Sequence, residues 1–135
     1  MTHRLAFFLL LITVASCKKE APAYEVKLGV GCFRCAVQYD HNGRVVLDTI
    51  GQDFPSDTMP QPFTPKEYLI TAMDGDEVAI SAHALQPSSR MVMTYVWAGG
   101  RIQANDGVTP VGPDSLKTST ARWTVTELDE WGWPK

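Results

Sequence analysis

The chain has 135 residues, of which 44% are hydrophobic, and its 12 basic and 15 acidic side chains give a net charge of −3. The acids and bases are interspersed without a basic stripe, which argues against nucleic acid as a partner. This length corresponds to one domain that can bury a sizeable core.

The chain begins with an export signal. His3 and Arg4 precede an unbroken apolar run from Leu5 to Ile12, and small residues follow. The run is too short to cross a bilayer as a helix, and a basic start before such a run is typical of a secretory signal peptide. We therefore expect an exported protein whose first residues are removed.

The end of this signal, Val14-Ala15-Ser16-Cys17, resembles a bacterial lipobox. The resemblance implies cleavage of residues 1–16 and attachment of a diacylglyceryl group and an amide-linked acyl chain to Cys17, and more than one chain is needed for stable anchoring. Residues 17–23 then form a short polar tether. The alternative is an ordinary signal peptide with an incidental cysteine.

The mature chain alternates apolar and polar residues with the period of half-buried strands, and no window of 12 residues has helical periodicity. The side chains expected to be mostly buried are Val26, Leu28, Val37, Tyr39, Ile70, Val78, Ile80 and Tyr95, and Ala82 is expected on the same face as Val78 and Ile80. Further strands are predicted over residues 44–50, 91–98, 101–104 and 116–127.

Turn residues separate these strands. Tight turns are predicted at Asn42-Gly43, Asp74-Gly75-Asp76 and Gly99-Gly100, because glycine and asparagine tolerate positive φ angles. Longer loops are predicted over residues 51–65, 86–89 and 106–114. Seven or eight short strands at this spacing predict an all-β, antiparallel, immunoglobulin-like sandwich over residues 24–127, followed by a Trp-rich tail over residues 128–135.

A set of short motifs adds a family resemblance that covers most of the mature domain. In chain order the motifs are Tyr24-Glu25-Val26, Cys32-x-x-Cys35-x-Val37-x-Tyr39, Asn42-Gly43, Asp76-Glu77-Val78-x-Ile80-Ser81-Ala82, Met91-Val92-Met93-x-Tyr95-Val96 and Gly99-Gly100. Together they resemble small β-sandwich lipoproteins of the Bacteroidetes type, which are similar in turn to the extracytoplasmic domain of mycobacterial MmpS proteins. The resemblance implies a β-sandwich and an accessory role beside an RND-type exporter of lipids or siderophores, with no catalytic residues.

Two departures from that family bear on its use here. MmpS proteins are held by a transmembrane helix, whereas this chain has a lipobox. Trp97-Ala98 precede Gly99-Gly100 where the family usually has an acidic residue. The fold therefore transfers better than the transport role.

Cys32 and Cys35 form a C-x-x-C pair. A redox role needs a thiol at a helix N-terminus, and a metal site needs two more ligands, whereas Cys35 opens a predicted strand. In an oxidising compartment the pair should form a disulfide. Because Cα atoms three residues apart on a strand are about 10 Å apart and a disulfide needs less than about 7 Å, Phe33-Arg34 should form the centre of a turn.

No set of residues predicts catalysis or metal binding. Ser81, His83 and Asp76 could be grouped as a triad, but the glycines of a nucleophile elbow are missing. Asp74, Asp76 and Glu77 cluster in one turn without the spacing of a calcium-binding loop. We therefore expect no enzyme activity, no cofactor and no metal.

Tryptophans are the remaining candidates for a binding surface. Trp123, Trp131 and Trp133 lie within the last 13 residues, and Trp97 ends a predicted strand. One interpretation places Trp97 and Trp123 partly in the core and folds the tail back on the body. The other makes the four rings a surface for a ligand or partner, where tryptophan is enriched.

Together these observations predict a non-enzymatic lipoprotein that is anchored to the cell envelope, on the outer membrane facing the periplasm. Its expected role is an accessory or binding subunit of an envelope export system, with an RND-type transporter as the candidate partner. The alternative function is a carbohydrate- or peptidoglycan-binding module that uses the surface tryptophans.

Overall fold

The computed structural model of the protein describes residues 20–32, 34–51, 65–85, 92–108 and 116–135, which form two antiparallel sheets of four strands each. The strands are β1 (Ala23–Gly31), β2 (Arg34–His41), β3 (Arg44–Gly51), β4 (Lys66–Met73), β5 (Glu77–Ala84), β6 (Val92–Ala98), β7 (Arg101–Val108) and β8 (Thr118–Thr124). Sheet A has the order β4-β1-β6-β7, and sheet B has the order β3-β2-β5-β8. The predicted all-β sandwich is confirmed, and the described residues include no helix that could cross a membrane.

The core lies between the two sheets, because alternate side chains of each strand point inward. Half of the buried hydrophobic residues described are β-branched, and such residues suit a pleated surface. The largest of them are Leu28, Ile80, Val26, Val30, Val37, Val78, Val92, Val96 and Val125. One polar pair is also buried between the sheets: the hydroxyls of Thr94 on β6 and Ser119 on β8 are 2.8 Å apart, and Ser119 also donates to the Asp106 carbonyl. The pair is therefore satisfied.

Both open sides of the sandwich are bridged by an aspartate. On one side, Asp106 of β7 accepts a hydrogen bond from the backbone N–H of Thr120 on β8. On the other, the Asp48 carboxylate of β3 accepts from Lys66 Nζ at 2.6 Å and from the Tyr68 hydroxyl at 2.7 Å, both on β4. These bonds hold the Asp48 pKa at about 2, with Lys66 as the largest cause. Each bridge connects an edge strand of one sheet to an edge strand of the other.

The antiparallel order divides the turns between two ends of the sandwich. One end, which we call the tail end, holds the start of β1, the β2–β3, β4–β5 and β6–β7 turns, and the residues after β8. The other, the disulfide end, holds Cys32 and Cys35 and the strand ends that lead to residues 52–64, 86–91 and 109–115. The predicted tight turns all belong to the tail end, where Asn42 (φ 53°) and Gly43 (φ 77°) adopt the positive angles of a two-residue hairpin.

Three expectations need correction. Tyr95 was expected inside, but β6 buries Val92, Thr94, Val96 and Ala98, so Tyr95 lies on the outer face. The loop expected from residue 106 starts later, because β7 runs to Val108, and the last strand is shorter than 116–127. Arg34 was expected at the centre of a turn but begins β2. The predictions for Met91, Phe33 and the loops over 52–64, 86–89 and 109–114 fall outside the described residues.

Candidate functional site

The four predicted tryptophans do not share one surface. Trp123 on β8 points inward and packs against the core, as the structural interpretation expected. Trp97 on β6 points outward from sheet A. Trp131 and Trp133 lie in the tail and are 73% and 55% exposed. Cys17 falls outside the described residues. The candidate surfaces are therefore the outer face of sheet A and the tail.

The outer face of sheet A carries one row of side chains across all four strands. Strand pairing places Leu69 beside Lys27, Lys27 beside Trp97, and Trp97 beside Ile102. Leu69 and Ile102 are 62% and 54% exposed, and Lys27 Nζ lies 4.8 Å from the centre of a Trp97 ring. We call these four residues the sheet A strip. It is an apolar surface with a cation held against its aromatic member.

The next row of outer-face residues, Glu67, Gly29 and Tyr95, holds the Tyr95 side chain in place beside the sheet A strip. The Tyr95 ring lies directly over Gly29, where a side chain of any other residue would collide with it. The Tyr95 hydroxyl donates to the Glu67 carboxylate at 2.6 Å, and Lys27 Nζ is 3.7 Å from the other oxygen of that carboxylate. Burial of the hydroxyl, then its bond to Glu67, raises the pKa of Tyr95 to about 12. Gly29 is thus the residue that sequence reasoning missed, since its pairing with Tyr95 is visible only in the register.

The backbone of the tail forms a hydrogen-bonded turn. Leu128 and Pro134 pair as an isolated bridge, and the Asp129 carboxylate accepts the backbone N–H groups of both Trp131 and Trp133 at 2.8 Å. Gly132 has a φ of 77°, and a side chain there would collide with the carbonyl oxygen of Gly99. One of the two sequence interpretations folds the tail back on the body, and its backbone does so.

Contacts with the body hold this turn against the tail end of the sandwich. The Gln103 amide donates to the Gly132 carbonyl at 2.8 Å and to the Ala98 carbonyl at 3.0 Å. The Leu128 N–H donates to the Tyr24 hydroxyl at 3.1 Å, which ties the tail to the first strand. The two indole rings nevertheless remain exposed. Neither sequence interpretation included this combination of a folded backbone with exposed rings.

A shallow cavity of about 260 Å³ lies on the outer face of sheet B. Ala79 forms part of its floor, and strand pairing places Asp40 on one side of Ala79 and Arg122 on the other. Gln38 and Ser81 also line it. Among the described residues no ion pair joins Asp40 to Arg122, so the cavity offers separated charges of opposite sign and fits a small polar molecule better than an apolar one.

The residues considered for catalysis have separate structural partners. Asp76 accepts hydrogen bonds from the Met73 N–H, from His41 at 3.0 Å and from the Asn42 amide, and these hold its pKa at about 2, with Met73 as the largest cause. Ser81 pairs with the Thr120 hydroxyl, and His83 pairs with that of Thr118. The structure therefore does not assemble the triad considered from the sequence, and no group of metal ligands occurs among the described residues.

Cys32 and Cys35 form the predicted disulfide, with their Cα atoms 6.3 Å apart. That separation is well below the spacing of about 10 Å that an extended strand would give. Cys35 is fully buried in the core. The bridge therefore connects the end of β1 in sheet A to the start of β2 in sheet B.

No protein-family profile matches this chain, and neither the curated proteins nor the solved structures searched contain a significant match.

Proposed function

We propose that the protein is an exported lipoprotein, attached through Cys17 to the outer membrane on its periplasmic side, that binds another envelope component without catalysing a reaction. The apolar run before Val14-Ala15-Ser16-Cys17 supports export and lipid attachment. The ordered strand motifs that resemble MmpS-type domains support an accessory role, with an RND-type transporter as the partner.

The sheet A strip is the observation that carries the binding role. Leu69, Trp97 and Ile102 present apolar surface in one row, and Lys27 and Glu67 supply charge beside it. Tryptophan is among the residues that are most enriched at the hot spots of protein–protein interfaces, so Trp97 is the expected centre of this surface. Exposed apolar residues that form one patch also indicate an interaction site, whereas single scattered ones are ordinary.

The causes of the lowered pKa values of Asp48 and Asp76 support a role without catalysis. Asp48 connects β3 to β4, and Asp76 connects the β2–β3 hairpin to the β4–β5 turn. Strongly perturbed pKa values indicate catalytic groups when they occur in a cleft without a structural cause. Here each shift has its cause in hydrogen bonds that join parts of the fold.

Site-specific crosslinking in cells tests this proposal. A photoreactive amino acid at position 102 should capture an envelope transport protein, and Trp97→Ala should reduce that capture by about 30-fold if it removes about 2 kcal/mol of binding. Leu47, 74% exposed on sheet B, is the matched control: a photoreactive residue at position 47 should not capture the same protein. Equal capture from both positions, or no effect of Trp97→Ala, would contradict the proposal.

A carbohydrate- or peptidoglycan-binding module is the second candidate. It is favoured by the same face, because Tyr95 and Trp97 lie two residues apart on one strand with Glu67 and Lys27 beside them. Flat aromatic rings next to hydrogen-bonding groups suit a sugar ring. Titration with peptidoglycan fragments decides between the two: saturable binding that Trp97→Ala abolishes would favour the second candidate, and no binding would leave the first.

A further inference from the structure

The exposed tail lies at the same end of the sandwich as the point where the chain leaves for its N-terminus. Tyr24, the second residue of β1, accepts a hydrogen bond from Leu128, and the Gly132 turn packs on the β6–β7 hairpin at Gly99. Six residue steps separate Ala23 from Cys17, which span about 20 Å at full extension. A membrane that holds Cys17 is therefore never far from the tail end.

Such a tether limits distance but does not fix orientation. The strands are about 25 Å long, so a tether of about 20 Å would let the domain lie on either face or stand on its end. A second contact with the membrane would select one orientation. The side chains that could provide it must be exposed and lie near Ala23.

Trp131 and Trp133 meet both conditions. Their backbone is fixed by Asp129 and by Gln103, yet their rings stay 73% and 55% exposed. Tryptophan is enriched where a protein meets the membrane interface, because its wide ring prefers an apolar environment and its N–H prefers a polar one. The Arg101 guanidinium lies 3.3 Å from the centre of a Trp133 ring and supplies a cation for lipid phosphate.

We propose that Trp131 and Trp133 dock the tail end onto the phospholipid surface of the membrane that holds the anchor. The proposal rests on the lipid attachment at Cys17 proposed above. Docking at this end stands the strands upright, with the disulfide end away from the membrane. The sheet A strip then faces sideways, where a neighbouring membrane protein can reach it.

Fluorescence quenching by lipid tests the docking. The lipidated mature protein, residues 17–135, is reconstituted into phosphatidylcholine vesicles that carry brominated acyl chains. Part of its tryptophan emission should be quenched, and the variant Trp131→Phe/Trp133→Phe should lose that quenched component. Trp123→Phe is the matched control and should keep it, because Trp123 is half-buried against the core. All three proteins should float with the vesicles through their acyl chains.

The outcomes separate this inference from the function on which it rests. A protein that fails to float and has no acyl mass at Cys17 would remove the lipid anchor and the docking with it. A protein that floats without a quenched component overturns the docking alone and leaves the proposed function standing. Quenching that persists in Trp131→Phe/Trp133→Phe also overturns the docking. The same holds if the emission of these two residues changes only when a second copy or another protein is added, and not with vesicles alone.

Discussion

The two ends of the sandwich are held by different kinds of interaction. At the tail end, noncovalent contacts join every described turn to a neighbour: Asn42 and Asp76 link two turns, and Gln103 links the tail to the β6–β7 hairpin. At the disulfide end, a covalent bond between Cys32, which directly follows β1, and Cys35 on β2 adds to backbone hydrogen bonds such as the one from the Leu85 N–H to the Arg34 carbonyl. The end nearest the expected anchor is therefore fixed by hydrogen bonds between turns that lie far apart in the chain.

At the tail end, a backbone fixed by hydrogen bonds carries two exposed indole rings. Glycines and polar side chains fix the backbone of the tail, and the Arg101 guanidinium packs on the Trp133 ring. Trp131 and Trp133 nevertheless keep more than half of their surface exposed. At the disulfide end, by contrast, Cys35 of the connecting bridge is itself buried in the core.

The largest expected effect is at the tail end, from Gly132→Ala. The substituted residue would have to keep a φ of 77° and would collide with the Gly99 carbonyl. We expect a loss of about 3 kcal/mol in the free energy of unfolding, together with release of the tail. Urea denaturation measures the first, and hydrogen exchange at the Trp133 amide measures the second.

Gly100→Ala is the matched control for this substitution. Gly100 also has a positive φ, 85°, but a side chain there meets no atom within 4 Å. Gly100→Ala should lower the free energy of unfolding only by the cost of a positive φ at alanine, about 1–2 kcal/mol. The Trp133 amide should stay protected from hydrogen exchange. Equal losses from the two variants would show that contact between Gly132 and Gly99 does not hold the tail.

A smaller effect is expected at the disulfide end, from Cys32→Ser/Cys35→Ser. A bridge that closes so short a loop contributes about 2 kcal/mol in the chain-entropy model. The variant should still fold, because the core is spread over both sheets. Reducing agent should lower the stability of the natural protein by the same amount and leave the variant unchanged. Loss of all structure in the variant would mean that the disulfide end depends on its covalent bond.

Sequence periodicity predicted the parts of this fold in which polar and apolar residues alternate. On β5, Val78, Ile80 and Ala82 were assigned to the inner face and are buried there. The tight turn at Asn42-Gly43 was predicted for the same local reason, since few other residues adopt its angles. Each of these features is decided by residues that are neighbours in the chain.

The errors arise where partners are distant in the chain. The inner face of β6 includes the polar Thr94 and the outer face includes Tyr95 and Trp97, so alternation alone does not show which face is inside. That choice depends on Ser119 and Gly29, which contact Thr94 and Tyr95. The tryptophans illustrate the same limit. Their number suggested a surface, but only the register of β8 shows that Trp123 points inward.

The smallest expected effect is a pH dependence of the free energy of unfolding. It arises from one aspartate at the tail end, Asp76, and one at an open side of the sandwich, Asp48. The pKa values of Asp76 and Asp48 are held at about 2, below the ordinary value of 3.8, by the Met73 N–H and by Lys66 respectively as the largest causes. A carboxyl whose pKa is lower in the folded state stabilises the fold above pH 4, where both states are ionised. As the pH falls from 4 to 2 the unfolded state takes up protons first, so that contribution is lost.

The free energy of unfolding, measured by urea denaturation at several pH values, should therefore decline between pH 4 and pH 2. Asp76→Asn and Asp48→Asn should each be less stable near neutral pH and show a shallower decline. Asp74→Asn removes the same charge from the same turn as Asp76 and should keep the natural slope. If only Asp48→Asn flattens the profile, the tail end does not rely on the Asp76 network. A profile unchanged in both variants would show that neither carboxylate links folding to pH.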